Sequence, residues 1–583
     1  MQACDRLTTE RFAVPSLDLM RAASAAVAAF AQEQFPTARR VTVLCGRGNN
    51  GGDGLMAARL LALAGLEVTT LLLGAPDGLT GDAAEAWREL KSLGCPPKCG
   101  RSLVHVIETT EELARHTKAL ETDLILDAVV GTGFKPPLKG LALAALEWVK
   151  AAPAPAPAPA VLELPTLAPS ISAPPILAPK ILAVDLPSGW PADQTAATAS
   201  GPVFPADAVI TFTAPKPAHV FGQLTRHWEQ PIVVAPIGSP DEAMLSTQAL
   251  HWAGSALSLT QARRPAAANK GSFGHVLVMG GTLGTAGGKS GAPAIAALGA
   301  LRAGAGLVTA AVPAPALPLV AAIAPELMTW PLAATAEGQI SAKNLSPEFL
   351  STLTAGKTVL VIGPGLGQGA ETAEFTAGIL LATKIPAVLD ADALNILAAR
   401  PELLEELSKT AKAGRTFVLT PHPGEMARLT SLTVAEVQAN RLDVARNFAQ
   451  QTGFTLVLKG ARTLIAHPDG RVAVNTTGNP GLAKGGTGDL LTGMMAGLLA
   501  QHPGEQARAV EAAVYLHGLV ADLAVHQADE HTLLATDSLR QLARAFHFQG
   551  FRFRASGPNR YLWLQGLPPA ELLPAATCHE AAE

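Results

Sequence analysis

Aromatic residues are scarce in this chain: they make up 4% of 583 residues, and only two are tyrosines. Its cores must therefore be packed mainly from Ala, Leu and Val. Charge is scarce too, at 16%, and nearly balanced, with 44 Lys plus Arg against 48 Asp plus Glu and a net charge of -4. No basic block and no aromatic-interleaved basic stripe occurs, which argues against nucleic acid as the main partner. Hydrophobic residues reach 48%, too many for a disordered chain. Yet no uninterrupted apolar run approaches the roughly 18 to 20 residues that span a bilayer, so no membrane association is expected. Asp5, Arg6, Glu10 and Arg11 precede any apolar run, and a secretory signal is not expected either. Cysteine is limited to Cys4, Cys45, Cys95, Cys99 and Cys578. Cys95 and Cys99 could be half a metal site but lack a second Cys/His pair. Ordinary thiols in a reducing cytoplasm are the expectation.

What the chain does have is glycine and acid at the ends of short apolar runs. After an Ala-rich helix predicted over 12–34, a strand at 41–45 enters Gly46-Arg-Gly-Asn-Asn-Gly-Gly-Asp-Gly54, then a helix at 55–64 and a strand at 67–73. Strand, glycine loop, helix and strand make the repeating unit of a doubly wound parallel sheet, which binds ligands at the carboxyl ends of its strands. Further strands are predicted at 123–130, running into Gly131-Thr-Gly133, at 181–189, at 208–213 and at 232–235. Asp53, Asp127 and Asp185 thus stand at strand ends, and packing alone hardly explains three such acids. Residues 151–180, rich in Ala-Pro repeats, read as a polyproline-II-prone surface insertion.

A boundary is predicted near 238–262, and a second α/β domain of about 300 residues follows. Its strands end in Gly280-Gly-Thr-Leu-Gly, Gly363-Pro-Gly-Leu-Gly367, Asp390-Ala-Asp392, Pro421-His-Pro-Gly-Glu425 and Lys459-Gly-Ala-Arg-Thr463. The densest stretch is Lys484-Gly-Gly-Thr-Gly-Asp-Leu-Leu-Thr-Gly493, followed by an apolar run. A glycine loop opening a helix offers free N–H groups and the positive end of the helix dipole to an anion. A carboxylate at such a mouth, Asp489, is unfavourable unless it has chemical work. The expectation is a phosphate site with a catalytic base. The residues predicted to form the domains are 1–240, 241–547 and a tail at 548–583.

Taken in order, these motifs closely resemble those of the bifunctional NAD(P)H-hydrate repair enzyme family, across roughly residues 12–545. The resemblance rests on Gly48-Asn-Asn-Gly-Gly-Asp-Gly54, Asp127-Ala-Val-Val-Gly-Thr-Gly133, Asp185-Leu-Pro-Ser-Gly189 and Thr211-Phe-Thr-Ala-Pro-Lys216 in the first half. In the second it rests on Lys270-Gly-Ser-Phe-Gly274, Gly363 to Gly367, Thr420 to Glu425, Leu458-Lys-Gly-Ala461 and Asn479 to Asp489. It implies a Rossmann-like α/β domain followed by a ribokinase-like one. The first would epimerise the R and S forms of NAD(P)H hydrated at C6. The second would dehydrate the S form with ADP, giving AMP and phosphate.

By the same resemblance, Asp489 is the base, with the N–H groups of Gly485 to Gly488 as the anion hole. Ala292, Gly367 and His422 would touch substrate, and Lys459, Gly460, Ala461, Arg462, Thr463 and Gly488 the nucleotide, with magnesium as the accompanying ion. Asp392 and Asn395 fit either a structural role or help to an ion. In the first half Asp127 is the candidate acid/base group. Asn50, Asp127 and Ser188 match potassium ligands. Asn49, Asn50, Gly51, Gly52, Asp53, Gly131, Thr132, Gly133, Phe134, Lys135, Pro136, Pro137 and Asp185 would meet the hydrated cofactor. A cytoplasmic homo-oligomer is expected. Arg21 departs from the family, which usually carries an acid there. The alternative is a ribokinase-like small-molecule kinase fused to a non-catalytic Rossmann-like binding module. It leaves Thr420 to Glu425 unexplained, and retention of Asn50, Asp53, Asp127 and Ser188 weighs against it.

Overall fold

The computed structural model describes residues 2–92, 102–151, 178–244, 248–285, 287–526, 528–548 and 561–567. Cys95, Cys99 and Cys578, most of the 151–180 insertion and most of the 548–583 tail lie outside these residues. The chain forms two compact units, residues 1–245 with 552–568, and 246–551 with 569–583.

The first unit is built on β1 (Arg40–Cys45), β2 (Glu67–Leu73), β3 (Ser102–Ile107), β4 (Leu124–Ala128), β5 (Lys180–Val184), β6 (Ala208–Phe212) and β7 (Ile232–Ala235). Their order is β7-β6-β5-β4-β1-β2-β3, all parallel. Apart from edge strand β3, these strands are short and almost wholly buried, as expected where helices cover both faces. The strand order reverses between β1 and β4, so a crevice opens beyond their carboxyl ends. The helix predicted at 12–34 runs Ser16–Gln34, and a separate helix, Gln2–Phe12, precedes it. Ala13, at a φ of 55°, turns the chain between them.

The helix after β1 begins earlier than predicted, at Asn49. Close packing explains why glycines are tolerated there. A Cβ on Gly51 would lie 1.8 Å from the Gly46 carbonyl oxygen, and one on Gly46 would lie 2.0 Å from that of Val129. The loop therefore folds directly into the helix, against the end of β4. The expected tail also carries structure: Leu562–Gln565 pairs antiparallel with β7 at the sheet edge. Tyr561 and Trp563 beside it meet Phe30 edge-on, with ring centroids at 5.1 and 6.3 Å.

The second unit holds β8 (Leu250–Trp252), β9 (His275–Met279), the short pair β10 (Leu283–Gly284) and β11 (Gly287–Gly288), β12 (Leu307–Pro313), β13 (Met328–Leu332), β14 (Val359–Ile362), β15 (Ala387–Leu389), β16 (Phe417–Leu419), β17 (Thr455–Leu458), β18 (Leu464–Ala466) and β19 (Val472–Val474). The main sheet runs β13-β12-β9-β14-β15-β16-β17-β18-β19-β8. It is parallel from β13 to β17 and then turns antiparallel through the β17-β18-β19 meander. Residues 250–252, inside the predicted boundary, supply its edge strand. The helix Thr487–Gln501 is buried along most of its length, as its run of Leu, Met, Ala and Gly requires.

Candidate active sites

In the first unit a cavity of about 1070 Å³ opens at the strand-order reversal. Of the predicted residues, Asn49, Asn50, Asp53, Gly131, Thr132, Gly133, Phe134 and Asp185 line it. Gly51, Gly52, Lys135, Pro136 and Pro137 do not. Asn49 and Asp53 share a face of the helix Asn49–Leu63 at its first turn. Gly131 is pressed between sites: a Cβ there would lie 3.1 Å from the Asn50 Cβ and 3.3 Å from Asp185 Oδ2.

Asp185 ends β5 with a φ of 67°, an uncommon conformation for a residue with a side chain. Its Oδ1 accepts from Lys216 Nζ at 2.7 Å and from Thr211 Oγ1 at 2.8 Å. The Thr132 amide donates to Oδ2 at 3.3 Å. Burial alone would push this carboxyl up, but Lys216, His219 and Thr211 outweigh it and hold the group below its ordinary value. Asp53 goes the other way, pushed well up by burial and then by the nearby Asp185 charge. Lys216 was absent from the predicted site. Its signal was present in Thr211-Phe-Thr-Ala-Pro-Lys216, a lysine just past a strand end.

Asp127 and Ser188 do not line the cavity; both are fully buried behind it. The Ser188 hydroxyl donates to Asp127 Oδ1 at 2.5 Å and its amide to Oδ2 at 2.7 Å. Burial raises the Asp127 carboxyl to about 6, against the pull of these bonds. Ser188 Oγ in turn accepts from the Val130 amide at 2.9 Å. Asn50, beside Gly131, has both side-chain polar atoms buried without a hydrogen-bonding partner. Arg21 stays outside: it pairs with Asp18 at 3.3 Å and Glu89 at 2.8 Å on the surface. Its neighbours Leu19 and Met20 face the cavity.

In the second unit the expected residues gather around the start of the helix Thr487–Gln501. Gly486 caps that start at a φ of 91°, which a glycine adopts without strain. Asp489 sits in the first turn, half-buried, with its carboxyl raised to about 6 by burial and then by Asp390, while Lys459 and Lys289 pull the other way. Asp390, at the end of β15, accepts from Lys459 Nζ at 2.9 Å, Thr420 Oγ1 at 2.7 Å and Thr492 Oγ1 at 2.8 Å. Those partners overcome its burial and keep it below the usual carboxylate range. A Cβ on Gly488 would come within 3.6 Å of Lys459 Nζ, so Gly488 and Lys459 flank one space.

The remaining predicted residues approach from the other strand ends. Asp392 accepts from the Gly367 amide at 2.9 Å and Lys289 Nζ at 3.3 Å. Ala292 faces Gly365 closely enough that a Cβ there would lie 3.2 Å away. Asn395 instead accepts from Arg428 at 2.8 Å, a structural use. His422 caps the helix Pro423–Thr430, its Nδ1 accepting from the Gly424 amide at 3.0 Å. Burial and Lys459 lower its pKa, so the neutral ring keeps Nε2–H as a donor. In the segment predicted to meet the nucleotide, Arg462 donates to the Thr476 carbonyl at 2.9 Å and Thr463 to that of Gly460 at 2.9 Å. Gly460 and Ala461 are exposed. Asp390 was read only as an acid ending a strand and was not among the predicted site residues.

Known proteins match both units. The family described as YjeF-related protein N-terminus matches residues 16–218, and the NAD(P)H-hydrate dehydratase family matches 276–544. The bifunctional NAD(P)H-hydrate repair enzyme Nnr of Moorella thermoacetica is 38% identical, over 92% of this chain and 94% of its own length. That of Coxiella burnetii is 35% identical, over 91% and 95%. The crystal structure of ADP/ATP-dependent NAD(P)H-hydrate dehydratase from Bacillus subtilis with ATP and Mg2+ is 34% identical with a TM-score of 0.43, covering 52% of this chain and 99% of that one.

Proposed function

We infer the reaction from one premise: the chain belongs to the family of bifunctional NAD(P)H-hydrate repair enzymes. It is an enzyme that epimerises hydrated NADH and NADPH and dehydrates the S form at the expense of ADP.

In the second unit we assign Asp489 as the base. It takes the proton from the C6 hydroxyl as that oxygen attacks the terminal phosphoryl group of ADP, and AMP leaves. The C6–O bond then breaks with departure of phosphate, a proton is lost from C5, and the dihydropyridine is restored. Phosphoryl transfer needs positioning, charge stabilisation and a base. Amides at Gly485 to Gly488 and the helix dipole supply the anion hole. Lys459, held by Asp390, faces the phosphates with Gly488, and Gly460 to Thr463 form the wall beside them. Ala292, Gly367 and His422 seat the cofactor ring. Magnesium would neutralise phosphate charge. The observation that carries this reading is Asp489 itself, a carboxylate in the first turn of a glycine-capped helix with its pKa raised to about 6.

Of the three strand-end acids of the first unit, Asp53 and Asp185 line the cavity, the first pushed well above its ordinary value and the second held below it. Such a divergence suits an acid and a base, and we assign them the proton transfers of epimerisation in place of Asp127. Asp127, Asn50 and Ser188 suit potassium as hard oxygen donors, and the unpartnered Asn50 side-chain oxygen fits that use. The ion would supply positive charge to the site. The homo-oligomer and cytoplasmic placement belong to the same proposal; among the described residues no helix is long and apolar enough to cross a membrane.

Racemic hydrated NADH with ADP tests both halves by absorbance of regenerated NADH. Full recovery is expected. A halt at about half would remove the epimerase assignment, and no recovery would remove the dehydratase assignment.

A further inference from the structure

Outside both sites, the edge of the second sheet carries a cluster that the repair reaction does not use. His251 lies on β8, His467 directly follows β18, and Glu511 is in the helix Gln506–Val525. Both imidazole Nε2 atoms stand 2.8 Å from the same oxygen, Glu511 Oε1. The rings lie nearly parallel, 19° apart with centroids at 6.4 Å. Glu511 is only 3% exposed. Among the described residues its ion-pairing partners are these two histidines, with no lysine or arginine. A buried carboxylate needs compensating positive charge, which a metal cation held by the same two rings would supply.

We propose that His251, His467 and Glu511 form a binding site for a divalent transition metal ion, zinc by its chemistry, that fastens edge strand β8 to the helix Gln506–Val525. Two imidazoles and one carboxylate, with a water as fourth ligand, are a donor set that zinc accepts. The three donor atoms lie within 4.8 Å of one another. Bonds of about 2.0–2.1 Å in a tetrahedron give donor separations of about 3.3–3.4 Å, so the two short contacts open by about half an ångström around an ion. The ion takes the place of the protons now shared between the rings and the carboxylate. Partly exposed His251 leaves a way in from solvent, whereas His467 and Glu511 are buried. The sequence supports an anchoring role: β8 is three residues long and joins the sheet only along β19.

Cobalt(II) is the probe. Chelator-treated full-length protein is titrated with cobalt chloride while the visible d–d bands are followed, and zinc chloride is then added. The expected result is one equivalent of cobalt with the intense bands of a four- or five-coordinate site, displaced by zinc. Affinity should fall at least a hundredfold in His251→Ala, with NADH regeneration unchanged. Only the weak bands of a six-coordinate aqueous ion, or equal binding by the unaltered chain and His251→Ala, would overturn the proposal and leave a purely hydrogen-bonded triad. Circular dichroism confirms that His251→Ala is folded. Should it not be, the spectrum of the unaltered chain still decides.

Discussion

If Asp489 is the base of the dehydratase, the rate of NADH regeneration must follow the ionisation of its carboxyl. That carboxyl titrates at about 6, because burial and the Asp390 charge outweigh Lys459 and Lys289. The base works only when ionised, so activity is retained above this value and lost below it. About nine-tenths of the molecules are competent at pH 7 and about one-tenth at pH 5, roughly a tenfold loss of rate. An aspartate at its ordinary pKa of about 3.9 would stay more than about 90% ionised at pH 5, and the rate would scarcely change. The assay is initial velocity of NADH formation from the S hydrate between pH 5 and 8, with ADP saturated by magnesium so that its own phosphate stays ionised. Lys289→Met adds a direction: losing a cation that favours the ionised form should move the acid limb to higher pH. A flat profile between pH 5 and 7, or a limb that moves to lower pH in Lys289→Met, would refute the electrostatic account.

Three further outcomes follow from the same geometry. Asp489→Asn should abolish NADH regeneration while interconversion of the R and S hydrates, followed by chromatography, continues; surviving regeneration would remove Asp489 from the role of base. Lys216→Met leaves Asp185 buried without its cation, which costs about 3–5 kcal/mol of stability in the first unit and should stop epimerisation but not dehydration of the S form; thermal melting and chromatography check both. Trp563→Ala deletes a side chain 5% exposed against Phe30, so a loss of about 3–5 kcal/mol in denaturant unfolding is expected, and an unchanged midpoint would mean that Leu562–Gln565 does not hold the first sheet.

How much of this was legible in the sequence depended on whether a feature was local. Strand ends could be read because a short apolar run followed by glycine or acid is a local pattern, which marked Asp53, Asp127 and Asp185, and Asp489 stood out equally locally in a glycine loop that opens a helix. The start of the helix at Asn49 could not, since four glycines argue against a helix until their packing on Gly46 and β4 is known. Partnership was equally hidden. Lys216 and Asp185, or Lys459 and Asp390, meet only after parallel strands align, and nothing in the intervening sequence records which cation reaches which acid. The strand Leu562–Gln565 lacked any motif, and its partner β7 lies far back in the chain, so it read as a tail.

The paired acids explain why both units depend on a lysine, Lys459 expected at the nucleotide and Lys216 outside the predicted site. In the second unit Asp390 is held ionised by Lys459 and two threonines, and its fixed charge helps lift Asp489 towards neutrality. In the first, Asp185 is held ionised by Lys216 and Thr211, and its charge helps lift Asp53. Each lysine thus does more than neutralise. By keeping one carboxylate charged inside a partly desolvated crevice, it creates the like-charge repulsion that raises the second carboxyl's affinity for a proton. Removing either lysine would release the held acid to protonate, and the repulsion on its neighbour would weaken just as the lysine's own attraction disappeared. The two effects oppose each other at Asp489 and at Asp53, so a lysine substitution should alter the ionisation of the neighbouring acid less than it alters that of the acid it binds.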